Sequence, residues 1–210
     1  MPKGLFVTLE GGEGAGKSTL ARALQAALIR RGREVVLTRE PGGTPGAEEI
    51  RDLLVKGDTE RWSAMTEALL FYAARVDHVE KVIQPAMARG AIVISDRFAD
   101  STMAYQGAAG GIDLARLKAL HRLALNDFQP ALTLLVDIPP EIGLHRTRDR
   151  LGLEVRFESK ALAFHERLRA CFHQLAVEEP DRFVTLNGED DPAEVAKAAL
   201  AALVEHLSDV

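Results

Sequence analysis

Residues 11–18, Gly11-Gly12-Glu13-Gly14-Ala15-Gly16-Lys17-Ser18, narrow the possible folds of this chain more than any other stretch. They match G-x-x-x-x-G-K-[ST] in full and stand between a short apolar run at 5–9 and a helix-patterned stretch from Ser18. Glycines free the backbone to curl so that successive N–H groups point inward and make a nest for an anion. The helix that follows adds the positive end of its dipole. A loop of this kind is built to hold the phosphates of ATP, with Lys17 reaching the outer phosphates and the Ser18 hydroxyl available to Mg²⁺. The candidate ATP-binding residues are Gly11, Gly12, Glu13, Gly14, Ala15, Gly16, Lys17, Ser18 and Thr19.

The rest of the chain continues the alternation that the loop begins. Short runs rich in Val, Ile, Leu or Phe fall at 5–9, 34–38, 91–95, 132–136 and 183–186, which suits buried parallel strands. Between them, residues 18–31, 47–56, 63–89, 113–127, 140–150, 159–177 and 192–207 carry apolar residues at helical spacing. Start signals stand at Asp113 and at Asp191-Pro192. This order predicts an α/β fold, a parallel five-stranded sheet flanked by helices on both faces in three layers. With 210 residues, one domain over 1–210 is expected. Two stretches, 39–46 and 149–157, fit neither element type, and loops that interrupt so regular a scaffold tend to carry ligand contacts.

Bulk properties exclude several classes. The net charge of −5 provides no overall basic field for nucleic acid. No run of about 20 apolar residues is present to span a membrane. The N-terminus lacks the apolar stretch and cleavage site of a secretory signal. A cytoplasmic protein with neither nucleic acid nor membrane as partner is expected. Cys171 is the single cysteine, which excludes an intrachain disulfide and a cysteine-rich metal site.

Further chemistry is suggested where the apolar run at 91–95 ends in Asp96-Arg97. Ligands of open α/β sheets bind at the carboxyl ends of strands. Asp96 could hold Mg²⁺ through water beside Ser18, and Arg97 could clamp a phosphate with two donors. An Asp-Arg pair could also cap a helix start. Phe71 and Arg75 are four apart and share a helix face. A flat ring and a fork of donors can stack on a pyrimidine and bond its carbonyl edge, or they can be a core residue and a surface charge. Arg146, Arg148, Arg150 and Arg156, set against Asp149 and Glu154 around Gly152, locally reverse the acidic character of the chain. Such a run is a solvated helix face, or a lid that brings positive charge to a transferring phosphoryl group.

Taken in order, residues 6–18 (FVTLEGGEGAGKS), 38–44 (TREPGGT), 70–75 (LFYAAR), 95–98 (SDRF), 101–107 (STMAYQG), 134–140 (LLVDIPP) and 156–158 (RFE) resemble the thymidylate kinases. The resemblance covers nearly the whole chain, and the second and fifth segments are far more specific than a phosphate loop. It implies a P-loop nucleoside monophosphate kinase fold. The implied reaction moves the γ-phosphate of ATP, with Mg²⁺, to thymidine 5′-monophosphate (dTMP) to give the diphosphate. A homodimer through packed helices is implied as well.

The resemblance also implies residue roles. Phe71 and Arg75 are assigned to the thymine base, Arg39 and Arg97 to the acceptor phosphate, and Ser101, Thr102, Tyr105 and Gln106 to base and sugar. An aromatic such as Tyr105 near the sugar would crowd a 2′-hydroxyl. Glu13 is awkward among phosphate-binding amides, and the resemblance turns it toward the acceptor sugar. An acceptor phosphate is already ionised near neutral pH, so catalysis is alignment and charge neutralisation, without a general base. The loop has Gly14 and Ala15 and no arginine, the bacterial pattern in which a mobile lid, here at about 145–157, supplies that charge. Lys17, Arg97, Arg148, Arg150 and Arg156 are therefore the expected catalytic residues, with Ser18 and Asp96 at the metal.

Two positions depart from the family pattern: Val155, where an acid is frequent, and Phe98, where Tyr or His is commoner. Trp62, His78 and His145 are expected in core or surface roles. The alternatives are a kinase for another nucleotide or a nucleoside, and a nucleotide-dependent switch. A nucleoside acceptor would need a general base, and phosphate-clamping Arg39 and Arg97 argue against it.

Overall fold

The computed structural model describes residues 4–58, 61–147, 157 and 160–208. Five strands, β1 (Leu5–Glu10), β2 (Val35–Arg39), β3 (Ile92–Asp96), β4 (Leu132–Asp137) and β5 (Phe183–Asn187), form one sheet in the order β2-β3-β1-β4-β5. Every pairing is parallel, and Leu9 stands between Asp96 of β3 and Leu134 of β4. This is the expected three-layer α/β fold, with each strand within a residue or so of its predicted place.

Side-chain alternation along β1 assigns the layers. Leu5, Val7 and Leu9 pack with Leu20, Leu24 and Leu28 of α1 (Lys17–Ile29) and Leu203 of α9 (Pro192–Ser208). Phe6 turns to the opposite face and joins Tyr72 of α3 (Ala64–His78), Val93 and Phe98. On that face Leu135 and Phe183 meet Leu117 of α6 (Leu114–Leu125) and Phe172 of α8 (Leu162–Glu178). Burying each such side chain contributes about 2 kcal/mol, so tertiary packing more than intrinsic propensity holds the helices in place.

Three local differences from the sequence pattern matter for the site. α2 (Pro45–Val55) begins inside the stretch 39–46 expected to be irregular. Thr44 caps it by accepting the Ala47 N–H at 3.1 Å, and Pro45 takes the first turn, where its missing N–H costs nothing. The expected single helix over 63–89 is interrupted after α3 by a π-helical turn, Val79–Ile83, before α4 (Gln84–Ala88). Pro85 cannot donate to the helix ladder, and in the widened turn the Gln84 N–H reaches Val79 O, five residues back. A helical segment that the pattern did not place, α5 (Ala99–Thr102) with a π-helical turn over Met103–Ala109, follows the end of β3. Gly107 is closely packed there: a Cβ would lie 2.5 Å from Leu114 Cδ2, and that side chain would have to shift.

The chain runs from β1 to edge strand β2, returns through β3, and then crosses to β4 on the other side of β1. Connections therefore part in opposite directions above the carboxyl end of β1, where open α/β sheets form their ligand crevice. α7 (Pro140–Thr147) ends where the described residues stop, so Arg148, Arg150 and Arg156 of the expected lid, with Val155, lie outside them. Among the described residues no helix is long and apolar enough to cross a membrane.

Candidate active site

The loop after β1 is shaped by its glycines. Gly11, Gly14 and Gly16 have φ of 132°, 68° and 95°, a region that L side chains rarely enter. Space forbids substitution as well: a Cβ on Gly11 would lie 2.3 Å from Val136 O, and one on Gly14 would lie 2.2 Å from Gly143 O. Lys17 closes the curl by donating to Gly11 O at 3.0 Å and Gly12 O at 2.7 Å. Burial, and then the nearby Arg97, lower its ammonium pKa to about 8.

One residue along, the Ser18 hydroxyl donates to Asp96 Oδ2 at 2.8 Å, which joins the first turn of α1 to the end of β3. This pair of hard oxygen donors suits a small divalent cation such as Mg²⁺, which is commonly completed by phosphate oxygens and water. Among the described residues no group of three His, Cys, Asp or Glu side chains converges to hold a metal by itself.

Arg97 follows Asp96 with φ 74°, which is unusual for a residue with a long side chain and costs roughly 1–2 kcal/mol. Its N–H donates to Leu9 O at 3.0 Å, and the Ser95 hydroxyl donates to its carbonyl at 2.8 Å. The twist turns the guanidinium back over the loop. Nη1 donates to Gly11 O at 3.0 Å and Ser101 Oγ at 3.1 Å, and Nη2 to Glu13 Oε1 at 3.2 Å. The Tyr105 hydroxyl donates to the same Glu13 oxygen at 2.5 Å.

These contacts remove the conflict posed by a carboxylate in a phosphate loop. Burial alone would raise the Glu13 pKa, but His165, Arg97, Lys17 and Tyr105 together hold it at about 2. Its second oxygen lies 3.5 Å from His165 Nδ1. Glu10, at the end of β1, accepts the Phe98 N–H at 2.8 Å and the Ser101 hydroxyl at 2.6 Å. Burial, then Asp100, raise it to about 7. Nothing in the sequence pattern marked Glu10 or His165.

Facing the loop is a cleft of about 540 Å³ that also takes in Arg39, Phe71, Arg75, Arg97, Ser101, Thr102, Tyr105 and Gln106. Residues chosen from five separate sequence segments are thus brought to one place. Arg75 is only 1% exposed, so it is no surface charge. Its Nε donates to Glu40 Oε2 at 2.6 Å, and its Nη2 donates to Phe98 O and Thr102 Oγ1, each at 3.1 Å. Its Nη1 is buried without a hydrogen-bond partner among the described residues. A buried, unsatisfied guanidinium nitrogen is costly, and on a residue that lines a cleft it is a spare donor suited to a ligand oxygen.

The other expected acceptor residues take distinct positions. Phe71 lies 6.3 Å, ring to ring, from Phe157. Gln106 donates to Glu67 Oε2 at 3.0 Å. Ser101 and Thr102 spend their hydroxyls on Arg97 and Arg75. Arg39 is exposed and paired with Glu48 at 3.0 Å. Arg22 and Arg51, which the sequence reading did not single out, line the same cleft.

A comparison with family models matches residues 9–199 to the thymidylate kinases. The chain belongs to the thymidylate kinase family. It is similar to the thymidylate kinase of Caulobacter vibrioides, at 52% identity over 207 residues that make up 99% of each chain. The thymidylate kinase of Ruegeria pomeroyi is 52% identical over 206 residues, 98% of this chain and 97% of that one. A crystal structure of the Ehrlichia chaffeensis thymidylate kinase superposes with a TM-score of 0.78 at 31% identity, covering 96% of this chain and all of that one. The resemblance read from seven segments therefore extends over the whole chain. A thymidylate kinase is a phosphotransferase, and the cleft offers what phosphoryl transfer requires, a phosphate cradle facing a second cationic pocket.

Proposed function

We propose that this cleft carries the thymidylate kinase reaction: the γ-phosphate of ATP passes to the 5′-phosphate of dTMP, giving ADP and thymidine 5′-diphosphate. The observation that carries the reading is the placement of Arg75. Arg75 lines the same cleft as Phe71 and the phosphate loop, and its Nη1 is buried without a hydrogen-bond partner among the described residues. A fixed N–H donor beside a flat ring favours a pyrimidine with a carbonyl at that edge.

In this reading Lys17 and the loop amides hold the ATP phosphates, and Phe71, Arg75, Thr102 and Gln106 receive the base. Glu13, Ser101 and Tyr105 stand at the sugar, and Arg39 and Arg97 at the acceptor phosphate. Ser18 and Asp96 would hold Mg²⁺, which when bound neutralises charge on the phosphates. The residues of the chain align two anions and exclude water. No residue needs to remove a proton, because the attacking oxygen is already ionised.

Arg148, Arg150 and Arg156 supply the lid charge; the support is the basic run itself and a phosphate loop without arginine. A homodimer is supported by α2, α3 and α6. The first two and the last two of these pack together, yet Leu53, Leu69 and Leu123 remain exposed, Leu123 by 83%. Light scattering tests this, and a mass near one chain would reject it. A cytoplasmic location goes with a reaction that draws on ATP and deoxynucleotide pools.

The function is tested by ADP release from ATP–Mg²⁺ with a panel of acceptors. Turnover with dTMP should exceed that with thymidine, uridine monophosphate or cytidine monophosphate by orders of magnitude. Equal or faster turnover with any of these would defeat the reading.

A further inference from the structure

Arg75 is held from behind. The Glu40 carboxylate that accepts its Nε at 2.6 Å places its other oxygen 2.9 Å from Nδ1 of His78. Nε2 of His78 lies 2.7 Å from the Thr38 hydroxyl. An ionised carboxylate can only accept, so Nδ1 carries a ring proton, and in the neutral imidazole Nε2 then accepts from Thr38. His78 is fully enclosed and Glu40 nearly so. Thr38 is fixed in turn by the pairing of β2 with β3, opposite Ser95. The chain Thr38–His78–Glu40–Arg75 thus runs from the sheet to the wall of the cleft without a gap.

Its geometry bears on the one nitrogen that matters there. Nε and Nη2 of Arg75 are occupied, which leaves Nη1 as the donor for a ligand. The guanidinium is planar, so the position of Glu40 sets where Nη1 points. The loop after Glu40 is moulded to the same imidazole: a Cβ on Gly43 would lie 2.5 Å from His78 Cδ2 and 2.6 Å from Nε2.

We propose that His78 is a positioning residue for acceptor selection, acting through Glu40 to aim Arg75 Nη1 at a pyrimidine carbonyl. The proposal rests on the acceptor reading given above. A guanidinium has only donors to offer, so it accepts a ring carbonyl and rejects a ring amino group, and it does so sharply only while it is held in place.

Two amide replacements of similar size test it. His78→Asn places its amide donor near Nδ1 and keeps the bond to Glu40. His78→Gln places it near Nε2, keeps Thr38, and leaves Glu40 Oε1 without its donor. Steady-state kinetics with ATP–Mg²⁺ are measured for dTMP and for 2′-deoxycytidine 5′-monophosphate, in the wild type, both variants and Arg75→Lys.

For His78→Gln, KM for dTMP rises about tenfold and the preference for dTMP falls by a similar factor, while KM for ATP stays within about twofold. His78→Asn recovers most of the loss. If the two variants behave alike, or if both change rates without changing the preference, the relay is only structural and the proposal is overturned. Arg75→Lys separates the inference from its foundation: undiminished use of dTMP by that variant defeats the acceptor reading itself. Should His78→Gln fail to fold, Thr38→Val removes only the last bond, in a strand position that favours valine, and should raise KM for dTMP by about threefold. An unchanged preference in a folded Thr38→Val then overturns the proposal.

Discussion

The phosphate loop and the wall made by Glu40, Arg75 and Thr102, with His78 behind it, face each other across one cleft, and they are held in different ways. The loop is a backbone construction. Its curl is set by Gly11, Gly14 and Gly16 at positive φ and by close approach to Val136 and Gly143. The wall is a side-chain construction. Arg75 is fixed by partners 35, 23 and 27 residues away in the chain. Among the described residues Lys17 donates to the backbone carbonyls of Gly11 and Gly12 and to no carboxylate, so its removal breaks no ion pair. A buried ion pair cannot lose one member without leaving the other unpaired. Function and stability should therefore separate on the phosphate side and coincide on the acceptor side.

The largest expected effect sharpens that contrast. Lys17→Ala should lower kcat by about three orders of magnitude or more, yet leave the urea midpoint near that of the wild type. Lys17 carries its charge at a cost: its folded pKa of about 8 lies below the unfolded value of 10.5. That cost is fully present below pH 8 and is relieved as pH rises toward the unfolded value; removing the side chain removes the cost as well, and Glu13 keeps Arg97 and Tyr105 as partners. The same pKa predicts that kcat/KM for ATP declines above about pH 8 as the ammonium is lost. A large fall in the urea midpoint of Lys17→Ala would break the comparison.

Arg75→Ala should do the opposite. Denaturant unfolding should report a loss of about 3–5 kcal/mol, because Glu40 is left buried without its cation, and dTMP use should fall with it. Unchanged stability would show that the wall is not interlocked. Among the lid candidates, replacing Arg148, Arg150 and Arg156 singly by Ala should reveal at least one that lowers kcat by about a hundredfold with little change in either KM. If none does, the arginine-free loop draws its charge from elsewhere. The smallest effect is expected where the two halves meet. Ser101→Ala removes a donor to Glu10 and an acceptor for Arg97, and should cost about 1–2 kcal/mol in thermal or denaturant unfolding.

The same contrast explains what was legible in the sequence. A backbone loop writes its glycines, lysine and serine into eight consecutive positions, so Gly11–Ser18 could be read directly. The strands could be read for a similar reason, since five buried parallel strands are five local apolar runs. Arg75 alone was ambiguous between a surface charge and a ligand donor, because its burial depends on Glu40, Phe98 and Thr102, none of them near it in the chain. His78 and Glu10 carried no local mark at all. The break after His78 was missed because a π-helical turn keeps the helical pattern while shifting its hydrogen bonds. The left-handed Arg97 was equally hidden, since nothing local distinguishes a strained arginine from a relaxed one.

The division of labour is tested most directly by binding without turnover. Titration calorimetry with dTMP alone should give Lys17→Ala an affinity within about threefold of the wild type, and Arg75→Lys an affinity at least about tenfold weaker. Equal losses in the two variants, or undiminished binding by Arg75→Lys, would contradict a cleft whose acceptor side is built by buried side chains and whose phosphate side is built by backbone.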